Sequence, residues 1–138
     1  MEFKFSELAP KYFKEHGYSC SESFARAAVD MGLASEDIIS IATSFSGGMG
    51  SGCLCGAVAG SQMVFGLLHG KNKDNTARKL AKEFYQKFIQ LHKVTCCKIL
   101  TKDFKDFHGA ERKNHCTNMV YDAALILDEI LTNSLIKQ

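Results

Sequence analysis

The apolar residues of the second half of the chain recur at spacings of three and four, the period of an amphipathic helix. One such stretch covers residues 77–91 and another runs from about 116 to 131. Shorter helices are predicted at 10–16 and 20–31, each ended by a glycine, and at 36–45, capped by Ser35. No segment alternates as a half-buried strand would. We therefore predict an all-α bundle of about five to seven helices.

Residues 38–70 form a run of 33 residues without Asp, Glu, Lys or Arg. Its apolar part, 53–69, is about 17 residues long, the lower limit for crossing a bilayer, and Ser61, Gln62 and several glycines interrupt it. We therefore expect no membrane span but a buried central helix that begins near Gly52. Gly56 and Gly60 would let another helix approach it closely.

Composition and charge limit the remaining choices. With 138 residues and 46% hydrophobic content, the chain is expected to fold as one domain over residues 1–138. Residues 1–70 carry a net charge of −3 and residues 71–138 a net charge of +5. No aromatic residues interleave with the excess lysines, so a solvated helix face is expected and a nucleic-acid partner is not. The N-terminus has no apolar core typical of a secretory signal, so we expect a cytoplasmic protein with reduced thiols.

The segment GGMGSGCLCGAVAG, residues 47–60, raises the question of a phosphate-binding loop. A Walker loop needs a lysine after its last glycine, but the first lysine after Gly52 is Lys71. The glycine spacing also departs from GxGxxG, and no predicted strand precedes it. The chemistry of this segment is therefore expected to come from its two cysteines.

The six cysteines fall near predicted helix starts, where unpaired N–H groups favour a thiolate. Cys20 follows Ser19, which is predicted to form a capping box with Glu22. At the other three starts, Cys53 and Cys55 follow Gly52, Cys96 and Cys97 follow Thr95, and Cys116 follows Asn114 and His115, either of which could be the cap. The positive end of each helix dipole stabilises a thiolate by roughly 0.3–1 kcal/mol. Two thiolates about 5 Å apart repel by roughly 3 kcal/mol at an effective dielectric of 20. If the four starts converge, the thiols must stay largely protonated, form disulfides or bind a cation.

In each close pair of cysteines, we expect one side chain to belong to the site and the other to lie outside it. On a helix, Cys53 and Cys55 would point about 200° apart, and Cys96 and Cys97 about 100° apart. One member of each pair is therefore expected to face a shared site. His115, next to Cys116, is a further candidate metal ligand, although the short C-x2-C pairs of usual zinc sites are missing.

Four segments of the chain resemble the C_GCAxxG_C_C family of redox-active proteins, which is defined by four scattered cysteines and a CGAxxG motif. Residues 55–60, CGAVAG, match that motif in full. The matching boxes are GYSCSES at 17–23, CKIL at 97–100, and the run from Cys116 through Val120 to Ala123. The resemblance covers nearly the whole chain and implies a redox class without a substrate.

Carried over residue by residue, the resemblance selects Cys20, Cys55, Cys97 and Cys116 as the site, with Cys53 and Cys96 as extra cysteines. It implies thiol–disulfide exchange or oxidant sensing. We expect Cys55 to attack, because the glycines beside it would leave its sulfur accessible, and one of the other three to resolve the mixed disulfide.

The alternative is that the same four cysteines bind zinc or an iron–sulfur cluster, for a sensing, structural or electron-transfer role. The redox partner stays open. The family's genes tend to lie near transporter genes, which points to a transport system, and a homo-oligomer is compatible with the sequence.

Overall fold

The computed structural model describes residues 2–71, 74–102 and 110–136, and these ranges contain helices and no strand. The all-α prediction is therefore confirmed. The helices are α1 (Phe5–Glu15), α2 (Cys20–Asp30), α3 (Asp37–Thr43), α4 (Gly56–His69), α5 (Thr76–His92), the single turn α6 (Cys97–Leu100) and α7 (Ala110–Ile136). None of them combines the length and apolar character that a helix needs to cross a bilayer.

The core lies between α1, α2, α4, α5 and α7, which pack against one another around aromatic side chains. Phe84 stacks on Phe88 with 6.1 Å between ring centroids, and Phe65 meets Phe84 edge-on at 6.1 Å. Phe5 of α1 stacks on Phe24 of α2 at 6.3 Å. All five rings are almost fully buried, so the amphipathic pattern of residues 77–91 has its expected inward face at Phe84 and Phe88.

The glycines of α4 bring that helix unusually close to α2, as their spacing predicts. A Cβ atom on Gly56 would lie 2.9 Å from the Cβ of Cys20, and one on Gly60 would lie 2.8 Å from the Cβ of Phe24. Real Cβ atoms do not approach so closely, so only glycine fits at these two positions. The central helix is buried along most of its first two turns.

The start of this central helix was predicted wrongly. Instead of beginning near Gly52, α4 begins at Gly56, and residues 48–52 form a tight π-type turn. Met49 and the glycines at 47, 48, 50 and 52 have positive φ, which an α-helix excludes. A Cβ on Gly48 would also lie 2.6 Å from the Cys53 nitrogen. Cys53 is therefore extended backbone ahead of the helix, with φ −141° and ψ 121°.

Two other helix starts also differ from the prediction. Helix α1 begins at Phe5 rather than at residue 10, because the Asp128 carboxylate of α7 accepts hydrogen bonds from Phe5 N (2.9 Å), Ser6 N (2.9 Å) and Ser6 Oγ (2.8 Å). Helix α7 begins at Ala110, so Cys116 lies in its second turn and not at a helix start. By contrast, α2 begins at Cys20 with the predicted Ser19–Glu22 capping box.

Candidate functional site

Cys20 is the first residue of α2, held there by the capping box. Ser19 Oγ accepts a hydrogen bond from Glu22 N at 3.3 Å, and Glu22 Oε1 accepts one from Ser19 N at 2.9 Å. Ser46 Oγ donates to Ser19 Oγ at 2.7 Å and ties this end of α2 to the glycine-rich turn. The close approach of Gly56 then places the Cys20 side chain against the start of α4.

Cys55 is the N-cap residue of α4, and its side chain is only 5% exposed. Its backbone N–H donates to the Thr95 carbonyl at 2.6 Å, which joins this segment to the one that carries Cys96 and Cys97. The expectation of an accessible Cys55 sulfur is therefore wrong. Burial raises the pKa of the thiol to about 11, although backbone N–H groups of Val58 and Ala57 donate to the sulfur and lower it.

Cys97 and Cys116 approach the same region from α6 and α7. Cys97 is the half-buried first residue of α6, and a Cβ on Gly48 would lie 3.0 Å from its Cβ. Arg112 Nη2 donates to Cys97 Sγ at 3.8 Å. Cys116 follows Arg112 by one turn of α7 and is 7% exposed. One arginine thus stands beside two of the candidate sulfurs.

Burial and neighbouring ionisable groups shift the pKa of these thiols. The pKa of Cys20 is raised well above its usual range, mainly by burial of its sulfur and then by the neighbouring Cys55, Cys116 and Cys97, whereas Arg112 lowers it. The pKa of Cys116 is raised by burial, lowered by Arg112 and raised again by Cys97. Burial and mutual repulsion thus outweigh helix ends and the arginine. We call Cys20, Cys55, Cys97 and Cys116 the inner cysteines.

A cavity of about 490 Å³ opens beside the inner cysteines. Cys20, Cys116 and Arg112 line it together with Phe13, Ser19, Ser46 and the glycines at 47, 50 and 52. The lining therefore consists of one phenylalanine, two serines, three glycines, two cysteines and one arginine. Arg112 is a member of the site that sequence reasoning missed, and its spacing of four residues before Cys116 on a helix is the signal that could have found it.

Cys53 and Cys96 are the two cysteines outside this set, and each is close in sequence to an inner cysteine. Cys53 is exposed and Cys96 is half-buried. Cys96 Sγ donates to the Gly52 carbonyl at 3.2 Å. The pKa of Cys53 is raised by a hydrogen bond with the Cys96 thiol and by the charge that Cys96 carries when ionised. We call these two the outer cysteines.

The metal alternative stays a prediction about the same four cysteines. In the described part of the chain, no group of three or more His, Cys, Asp or Glu side chains is arranged to hold a metal ion. His115, the further candidate ligand, has its Nε2 2.9 Å from the Leu100 carbonyl oxygen, within hydrogen-bond distance. All six cysteines are free thiols.

The fold defines an all-α protein, and its cavity is lined by two free thiols, those of Cys20 and Cys116, and by Arg112. Over residues 18–130, the chain matches the family described as "Putative redox-active protein (C_GCAxxG_C_C)". Because the match covers more than half of the chain, the protein belongs to this family, as the resemblance implied. No match to a curated protein or to a solved structure was found.

Proposed function

We propose that the inner cysteines act together as one dithiol–disulfide site, which reduces a disulfide substrate in the cavity beside them. The observation that carries this proposal is the position of Cys20 and Cys116 on the cavity wall, with Cys55 and Cys97 close enough to influence the pKa of Cys20. A substrate disulfide in the cavity would first contact the sulfurs of Cys20 and Cys116. Cys55 and Cys97 would then be available for a later step.

Cys116 is the thiol that we assign to the first attack. It lines the cavity, and although burial raises the pKa of its thiol, Arg112 acts in the opposite direction and lowers it. A guanidinium stabilises the thiolate, which is the nucleophilic form. Cys55 is better suited to a later step, because its sulfur is enclosed and its pKa lies at about 11.

The reaction exchanges one disulfide for another. The Cys116 thiolate attacks one sulfur of the substrate RSSR, the S–S bond breaks, and the first RS⁻ leaves. A second inner thiolate then attacks the Cys116 sulfur of the mixed disulfide and releases the second RS⁻. The two protons of the cysteine thiols end on the two RS⁻ groups. The substrate gains two electrons, and the protein gains one disulfide. Cys20, Cys55 and Cys97 are the three candidates for the second thiol.

The test uses oxidised glutathione as RSSR and follows the release of reduced glutathione. With Cys53 and Cys96 both replaced by serine, the protein should release two thiols per inner disulfide formed, and adding Cys116→Ser should slow inner disulfide formation by about tenfold or more. Equal rates with and without Cys116→Ser would overturn the assignment of Cys116. Zinc and iron are assayed on the same anaerobically purified protein. About one zinc or several irons per chain, lost in Cys116→Ser, would replace this proposal with the metal alternative.

A further inference from the structure

The outer cysteines lie on two segments that run side by side. Two hydrogen bonds hold their segments side by side: Cys96 Sγ to the Gly52 carbonyl at 3.2 Å and Cys55 N to the Thr95 carbonyl at 2.6 Å. These contacts place residues 52–55 along residues 95–96. Cys96 Sγ therefore lies 3.2 Å from the carbonyl oxygen of Gly52, the residue that precedes Cys53. Two cysteines 43 positions apart in the sequence thus lie on adjacent segments of backbone.

The inner cysteines adjoining this pair are turned toward other contacts. Cys55 is buried at the start of α4, where the backbone N–H groups of Val58 and Ala57 lower the pKa of its thiol. The Cys97 sulfur accepts from Arg112, and its Cβ faces Gly48. Sequence neighbours are therefore less suitable disulfide partners for the outer cysteines than the outer cysteines are for each other.

We infer that Cys53 and Cys96 form a second, solvent-facing dithiol, which small disulfides oxidise to a Cys53–Cys96 disulfide. The geometry favours this because Cys96 Sγ lies 3.2 Å from the carbonyl oxygen of the residue before Cys53, so a local movement can bring the two sulfurs to the S–S distance of about 2.05 Å. Access favours it as well, since Cys53 is exposed whereas Cys55 and Cys116 are buried. The inference does not depend on the chemistry of the inner cysteines.

The reaction begins at the more exposed thiol. The Cys53 thiolate attacks one sulfur of a small disulfide RSSR, the S–S bond breaks, and one RS⁻ leaves. The Cys96 thiolate then attacks the Cys53 sulfur and displaces the second RS⁻. The two thiol protons pass to the two RS⁻ groups, the small disulfide takes up two electrons, and the pair is oxidised. Because Cys96 is held beside Cys53, this second attack is intramolecular and should be fast.

The experiment exposes the reduced protein to oxidised glutathione, quenches with acid and maps the linkages by mass spectrometry. Chymotrypsin cleaves after leucine, so a cut after Leu54 separates Cys53 from Cys55. In the parent we expect a linked pair of peptides that joins Cys53 to Cys96, with little glutathione on either. In Cys96→Ser, glutathione should remain on Cys53 at a level at least about tenfold higher than in the parent, because no thiol resolves it.

Cys116→Ser is the matched control, because it removes the proposed inner nucleophile and leaves both outer cysteines in place. It should retain the Cys53–Cys96 link, and circular dichroism should show that each variant keeps its helices. A parent that accumulates glutathione on Cys53 to the level of Cys96→Ser would overturn the inference. So would a parent in which Cys53 is linked mainly to another cysteine. Loss of the link in Cys116→Ser would also overturn it, since the pair would then depend on the inner site.

Discussion

The inner and outer cysteines share two short stretches of backbone but not an environment. Along residues 53–55, Cys53 is exposed and Cys55 is buried. Cys96 and Cys97 are adjacent in the sequence. Cys96 nevertheless donates a hydrogen bond to the Gly52 carbonyl, whereas Cys97 faces Gly48 and Arg112. Burial is the largest cause of the raised pKa at Cys20, Cys55 and Cys116, whereas at Cys53 the largest cause is the hydrogen bond with Cys96. The comparison teaches that the burial of a thiol changes its pKa more than its position on a helix does.

The largest effect should come from removing the close helix contact that positions Cys20. Gly56→Ala would put a Cβ 2.9 Å from the Cys20 Cβ and 3.2 Å from Ser21 N. We expect the free energy of unfolding, measured in urea, to fall by about 1–3 kcal/mol. Gly66→Ala is the control in the same helix, since nothing lies within 4 Å of its added Cβ, and it should be neutral or stabilising by up to about 1 kcal/mol. Equal effects of the two substitutions would argue against close packing at Cys20.

The buried thiols should make stability fall at alkaline pH. In the folded state the pKa of Cys55 is about 11, above the ordinary value of about 8.5 in an unfolded chain. Its stabilising contribution is therefore fully present below about pH 8.5 and is lost as pH rises through about 11. Urea unfolding of the reduced parent should show that the free energy of unfolding falls between pH 7.5 and 10.5. This decrease should exceed the decrease in Cys55→Ala by on the order of 2 kcal/mol. Parallel curves for the two proteins would contradict the raised pKa.

Alkylation rates should separate the two sets directly. With limiting iodoacetamide at neutral pH, we expect Cys53 to be labelled at least about tenfold faster than Cys55, because the reagent reaches an exposed sulfur without opening the fold. Peptide mapping over time gives the rate for each cysteine. In urea, where the chain is unfolded, the difference should disappear. Faster labelling of Cys55 than of Cys53 in the folded protein would reverse the comparison.

The smallest effect is expected from the arginine beside the inner thiols. Arg112→Gln removes the guanidinium that lowers the pKa of Cys116, so the reaction of Cys116 with oxidised glutathione near neutral pH should slow by about threefold. Arg112→Lys keeps the charge and should recover much of the rate. Oxidation of the outer pair should be unchanged in both variants. An equal slowing of both sets would indicate a general change in the fold rather than a local charge effect.

Features set by local sequence were predictable, and features set by long-range contacts were not. The helical period of residues 77–91, the capping box at Ser19 and the close-packing glycines of α4 each leave a local pattern that the structure repeats. The start of α1 depends on Asp128, more than 120 residues away in the chain, and no local pattern signals it.

The candidate site divides in the same way. The four family boxes indicate which cysteines to consider, but helix position alone misjudged their environment. Cys116 lies inside α7 rather than at its start, and Cys55 is enclosed rather than accessible. The approach of Cys96 to the residue before Cys53 arises only when the positive-φ turn at 47–52 brings its segment beside residues 95–96. The roles of the inner cysteines remain proposals for experiment.

The most direct measurement is disulfide mapping of the double variant Cys53→Ser/Cys96→Ser, equilibrated with oxidised and reduced glutathione. Only Cys20, Cys55, Cys97 and Cys116 can then react. Our account predicts a reversible disulfide between two of these four, formed while circular dichroism shows an intact helical fold. Persistent glutathione adducts without an inner disulfide, or thiols that oxidise only after the helices unfold, would contradict it.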